Sequence, residues 1–105
     1  MRTDPQTALL QALISGPGFG LDLIERVKNR TEGKVLLGNG KVYPALRDLE
    51  RAGFVESYKV EENLPQRAGR PRIYYRLTGA GFRAAQEERQ AGFLFGADLA
   101  WGVIR

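Results

Sequence analysis

Through the first half of the chain, apolar residues recur at three- and four-residue spacing, the period of a helix with one buried face. Ala8, Leu9, Ala12 and Leu13 share such a face, behind Asp4 as a cap and Pro5 at the first helical position, where the missing N–H does no harm. Ser15-Gly16-Pro17-Gly18 ends that helix. A second is predicted over 20–30, with Leu23, Ile24 and Val27 inward and Asp22, Glu25, Arg26 and Asn29 outward. Thr31-Glu32-Gly33 breaks it, and a short apolar bridge, Val35-Leu36-Leu37, leads to the turn Gly38-Asn39-Gly40. Asn39 is the expected cap of a third helix over 41–52. Val42, Leu46 and Leu49 form its buried stripe, while Lys41, Tyr43, Arg47 and Arg51 point elsewhere. Pro44 is tolerated near its start, and Gly53 is the natural stop.

The period then changes to two. Residues 54–60 and 73–77 read as strands rich in β-formers, and the polar stretch 61–72 between them contains Pro65, Gly69 and Pro71. Together they predict a hairpin with a long tip. Thr78 caps a last helix beginning near Gly79, with Phe82, Ala85, Arg89 and Phe93 at helical spacing. The remainder, 92–105, carries Phe93, Leu94, Phe95, Leu99, Trp101, Val103 and Ile104, too much apolar surface for a free end of a monomer.

Length and composition narrow what this arrangement can do. A chain of 105 residues is one compact unit, here expected as 1–78 followed by a C-terminal helix and apolar tail over 79–105. It contains neither Cys nor His, which removes disulfides, thiolate chemistry, imidazole bases and the commonest metal ligands. The twelve acids show no ligand-loop spacing, so no metal, cofactor or catalytic residue is expected and an enzyme is a distant reading. No apolar run suits a signal peptide or membrane span, making a cytoplasmic protein the expectation.

The net charge of +4 has a location. Between Leu64 and Gln86 lie Arg67, Arg70, Arg72, Arg76 and Arg83 and no acid, while the rest of the chain carries 11 bases and 12 acids. Arginine outnumbers lysine 12 to 4, which suits the geometry of phosphates and base edges. Three helices followed by a basic hairpin describe a winged helix-turn-helix, an α+β and mainly helical fold. Its third helix enters the major groove of duplex DNA and its wing reaches phosphates or the minor groove. The donors placed for that work are Asn39, Lys41, Tyr43 and Arg47 on the helix and Arg67, Arg70 and Arg72 on the wing. Each also has a plainer reading. Tyr43 could pack beneath its own helix, and the cations could be solvated surface charges.

Three blocks carry a family resemblance: ALLQALISGPGFGLDLIERV from Ala8, GNGKVYPALRDLERAGFVES from Gly38 and GRPRIYYRLTGAG from Gly69. They resemble the PadR-type transcriptional regulators. The specific feature is the wing block combined, at this separation, with Tyr43-Pro44-Ala45-Leu46. The resemblance implies a homodimeric repressor on a near-palindromic operator, dimerising through the C-terminal helix, often with the first helix of the partner, and in some members answering small aromatic compounds. On that basis Leu9, Leu13, Phe82, Phe93, Phe95, Leu99 and Trp101 are expected at a dimer seam or an effector pocket, with protomer core as the alternative for the tail aromatics. Where relatives carry a His-Gly-Tyr-like turn, this chain has Gly18-Phe19-Gly20-Leu21. The competing function is a winged-helix protein-interaction module or anti-repressor working through the apolar tail.

Overall fold

The computed structural model describes residues 4–61 and 71–90. Its elements run α1 (Pro5–Leu13), β1 (Gly18–Phe19), α2 (Gly20–Arg30), α3 (Asn39–Arg51), β2 (Val55–Glu61), β3 (Pro71–Leu77) and α4 (Gly79–Gln90). The three strands form one antiparallel sheet in the order β1-β3-β2. This is the winged helix-turn-helix, with α2 and α3 as the helix pair and β2–β3 as the wing. Among the described residues, no helix is long and apolar enough to cross a membrane.

The helical stripes meet as their spacing demands. Leu9 from α1, Leu23 and Val27 from α2, and Val42, Leu46 and Leu49 from α3 are fully or almost fully buried together, and Val55 and Ala85 close the cluster from β2 and α4. Leu9 is 0% exposed and Leu13 3%, both within the protomer's own core. Among the described residues α1 packs against α2, α3 and α4, and this packing is what buries the two leucines. Phe82 differs. It stands 43% exposed on α4, beside Leu13, Ile14 and Leu77 in a shallow depression. Phe93, Phe95, Leu99 and Trp101 lie outside the described residues.

Helix ends follow local chemistry. Asp4 Oδ1 accepts the Thr7 N–H at 2.9 Å, and Thr78 Oγ1 accepts the Gly81 N–H at 3.1 Å. Asn39 is not the cap of α3. The extended residue there is Gly38, whose carbonyl accepts both Lys41 N–H and Val42 N–H at 3.0 Å, so the helix starts earlier and Asn39 is its exposed first residue. At the other end Gly53 takes φ +82°, its N–H donates to Glu50 O at 3.0 Å, and Phe54 N–H donates to Leu49 O at 2.9 Å. That Schellman closure turns the chain directly from α3 into the wing.

The strand β1 has only two residues, too few to show a period, and it was not expected from the sequence. It pairs Gly18 with Tyr75 and Phe19 with Tyr74, tying the α1–α2 turn to the wing's returning strand. In the wing, Val55 faces Leu77 and Glu61 faces Pro71. Tyr75 packs on the core, whereas Tyr74 stacks with Tyr58 at 5.9 Å and meets Phe19 edge-on at 5.3 Å.

Helix α4 is locked to α1 by polar groups. The buried Gln11 Nε2 donates to Ala85 O at 2.8 Å, and Glu88 receives Thr7 Oγ1 at 3.4 Å and Gln11 Nε2 at 3.5 Å. Partial burial raises the Glu88 carboxyl above its ordinary range, the two hydrogen bonds oppose that, and Asp4 adds to it. A carboxyl with a raised folded-state pKa binds its proton more tightly folded than unfolded. Its contribution is therefore full below the ordinary carboxylate range and is lost as pH rises through the raised value. Urea unfolding across mildly acidic pH should show that decline, and Glu88→Gln should flatten it. A variant profile parallel to the parent's would remove Glu88 as the cause.

Candidate nucleic-acid interface

Helix α3 has two faces of opposite character. At 100° per residue, Val42, Ala45, Leu46 and Leu49 occupy one arc and are buried. The rest of the circumference carries Asn39, Gly40, Lys41, Tyr43, Pro44, Arg47, Asp48, Glu50 and Arg51, all exposed, with the Glu50 carboxylate accepting from Ser57 Oγ at 2.8 Å. Asn39, Tyr43 and Arg47 climb one edge of that arc and Lys41 stands on the other. Between them, Gly40 and Pro44 are small enough to let a groove floor approach. The first turn of α3 contains no acid, so its amide dipole end and its cations act with one sign. Further along, Asp48 pairs with Arg51 at 3.4 Å, a solvent-exposed contact that adds little stability.

Tyr43 does more than its spacing announces. It is 39% exposed, and its ring stands over the backbone of Gly20 at the start of α2, so closely that a Cβ there would overlap the phenol hydroxyl. The phenol end of the ring packs on the start of α2 and not beneath its own helix, while part of the side chain stays on the surface. The same residue lines a cavity of about 330 Å³ whose walls come from β1, α2, α3 and β3. Phe19, Gly20 and Leu21 form one side, Tyr43 another, and Arg72, Ile73 and Tyr75 of β3 the third. Burial raises the Tyr75 phenol above its ordinary value, and Glu50 and Tyr43 add to this against an opposing effect of Arg47, so the hydroxyl stays a neutral donor at physiological pH.

Arg72 stacks on Phe19, its guanidinium carbon 4.1 Å from the ring centroid. It therefore sits at the wing root beside Tyr43, not at the hairpin tip. Arg67 and Arg70 lie outside the described residues. Arg76, also part of the acid-free stretch, is engaged with Glu56 at 2.7 Å across the hairpin and lies 4.9 Å from the Tyr58 ring. Among the described residues, no group of three or more acidic side chains could hold a metal.

Sequence reasoning missed three contributors. Leu21 and Ile73 are 57% and 38% exposed on the cavity rim, and no periodicity marks an apolar residue that stays outside. Arg26, expected outward, instead folds back over the α1–β1 turn and donates to the carbonyls of Ala12, Gly16 and Pro17. The available signal was its i,i+4 partner Asp22, paired at 2.9 Å.

Comparison with known proteins agrees with this geometry. The PadR-like family of transcriptional regulators matches residues 9–87. A transcriptional regulator from Clostridium thermocellum is 26% identical, with a TM-score of 0.70 over 82% of this chain and 79% of that one. A PadR family regulator from Clostridium difficile is 26% identical, with a TM-score of 0.68 over 82% and 83%. The Bacillus subtilis PadR structure with operator DNA shares the fold, at 21% identity and TM-score 0.67, over 78% of this chain and 44% of that one. No curated protein sequence matches. The winged helix, its sequence blocks and a family match spanning most of its length together place the chain in the PadR-like family of transcriptional regulators.

Proposed function

We propose that this protein is a sequence-specific, DNA-binding transcriptional repressor of the cytoplasm, acting as a homodimer on an inverted-repeat operator. Helix α3 enters the major groove, and the β2–β3 wing, whose strands are joined by the sequence that carries Arg67 and Arg70, lies on the backbone or in the minor groove. The carrying observation is the amphipathicity of α3: an apolar arc spent wholly in the core, opposite an exposed N-terminal half bearing Asn39, Lys41, Tyr43 and Arg47 without an acid. Operator recognition by the Bacillus subtilis relative supports the same use of this fold. The exposed Phe82 and the apolar composition of 92–105 support a dimer built on α4 and the C-terminal tail.

The experiment is selection of bound sequences from a random duplex library at near-physiological salt, with light scattering on the same sample. A dimer enriching an inverted repeat supports the reading, and a dimer enriching nothing favours the protein-interaction module. Arg47→Ala should relax preference at one position of each half-site, costing about 1–2 kcal/mol against the preferred base, with little change on random duplex. Equal loss on both duplexes would make Arg47 a backbone contact and not a reader.

A further inference from the structure

Glu50 is a carboxylate where two influences disfavour one. It lies in the last turn of α3, at the negative end of the helix dipole. It is also exposed, on a helix whose outer face is otherwise suited to an anionic duplex. At 100° per residue it shares an edge of α3 with Asn39 and Tyr43, roughly 10 Å beyond Tyr43 along the axis. Asp48, on the opposite edge, is balanced by Arg51 at 3.4 Å. Glu50 has no such balance: among the described residues it enters no ion pair. Its Oε2 instead accepts the Ser57 hydroxyl of β2 at 2.8 Å, which fixes the carboxylate without cancelling its charge. That charge is felt across the seam between α3 and the wing. After burial, it is the largest contribution raising the Tyr75 phenol, with Tyr43 adding and Arg47 opposing.

Tying α3 to β2 does not require the charge, since an amide oxygen would accept from Ser57 equally well. Resting on the DNA-binding reading, we infer that Glu50 is a specificity-determining residue that works by repulsion, turning duplex backbone away from the wing-side end of α3. In the operator register the N-terminal half of α3 lies in the groove, with Lys41 and Arg47 within reach of the duplex and Glu50 held clear of it. In a loose, non-specific complex, phosphates lie anywhere along the helix, and those that approach Glu50 are penalised. The wrong complexes weaken more than the right one, which is how a repulsive element raises discrimination. Ser57 is the positioning residue. Without its hydroxyl the carboxylate rotates into water and the penalty softens.

The test is fluorescence anisotropy of the full chain with the duplex recovered by selection and with a scrambled duplex, at low and high salt, alongside thermal melts. At low salt Glu50→Gln should bind the scrambled duplex about fivefold tighter and the selected one less than about twofold tighter, so discrimination falls. The gain should shrink at high salt, where the charge is screened. Ser57→Ala should act in the same direction by about twofold, because the charge remains but is no longer fixed. The melting midpoint of Glu50→Gln should stay within about 2 °C of the parent's, the lost charge relieving the helix dipole while the amide keeps Ser57 paired. Equal tightening on both duplexes would make Glu50 a general charge and overturn its role in specificity. Weaker binding of both with a lowered midpoint would make it a support of the fold and overturn the proposal as well. In either case a parent that still prefers the selected duplex leaves recognition by α3 intact. A parent that binds no duplex overturns both readings.

Discussion

Gly81→Ala is expected to destabilise the protein by about 3 kcal/mol, at the upper end of what overpacking usually costs. Helix α4 begins hard against the start of the wing. Thr78 N–H donates to Phe54 O at 3.0 Å and Thr78 Oγ1 donates to Gly53 O at 2.6 Å, which draws the first turn of the helix onto that carbonyl. A Cβ at position 81 would overlap the Phe54 carbonyl oxygen and lie 2.8 Å from its carbon. The obstacle is backbone pinned by the Schellman turn, so it cannot rotate away as a side chain could. Gly79→Ala is the control. A Cβ there meets only Arg83 Nη1 at 3.7 Å, and the exchange should be neutral or stabilising by a few tenths of a kcal/mol. Urea unfolding of both variants at one protein concentration checks the pair, because a dimer's apparent stability shifts with concentration. Equal midpoints for Gly79→Ala and Gly81→Ala would refute the close approach.

Much of this arrangement was legible along the chain because most of its elements obey a local rule. α2 spans the predicted residues, and Leu23 and Val27 occupy the buried face that the period assigns them. Thr78, Asp4 and Gly53 act at helix ends through hydrogen bonds to neighbours within a few residues, which is why residue type announced them. Partners distant in sequence gave no such signal. β1 exists only because β3 returns alongside it some 55 residues later, and two residues cannot display alternation. Leu9 and Leu13 illustrate a different limit: a helix stripe is equally apolar whether it meets its own core or another subunit, and the spacing alone does not announce the packing of α2, α3 and α4 that buries it within the protomer. For the candidate interface, the exposed donors of α3 followed from elimination of its buried stripe. The cavity beside them did not, since it arises where α2, α3 and β3 converge.

Arg26 belongs to the same class of distant effects, and its removal should be the second costly change. The guanidinium donates to Ala12 O at 3.0 Å, Gly16 O at 2.8 Å and Pro17 O at 2.9 Å, and pairs with Asp22 at 2.9 Å. It thereby satisfies one of the carbonyls left open at the end of α1 and clamps the turn that carries the chain into β1. Gly18 makes room for it, since a Cβ there would lie 2.8 Å from Nη2 and 2.7 Å from the Asp22 carboxylate. Arg26→Ala removes the guanidinium from Gly16 O and Pro17 O and leaves Ala12 O with Ser15 Oγ alone, at 3.0 Å, and hydrogen bonds to a charged group set the loss at about 2–3 kcal/mol. Arg26→Lys should recover only a fraction, because an ammonium cannot fork across several carbonyls as the planar guanidinium does. Asp22→Asn should cost far less, its side chain being over one-third exposed, so screening weakens the pair. The effect should also reach the DNA face. With the turn loosened, β1 loses its alignment with Tyr74 and Tyr75, and hydrogen exchange along the β1–β3 pairing should accelerate more than in the α3 interior. A variant in which all amides accelerate together would mean that Arg26 supports the whole fold evenly. Selective acceleration at β1 and β3 would show it acting through the wing root, where the cavity beside Tyr43 lies.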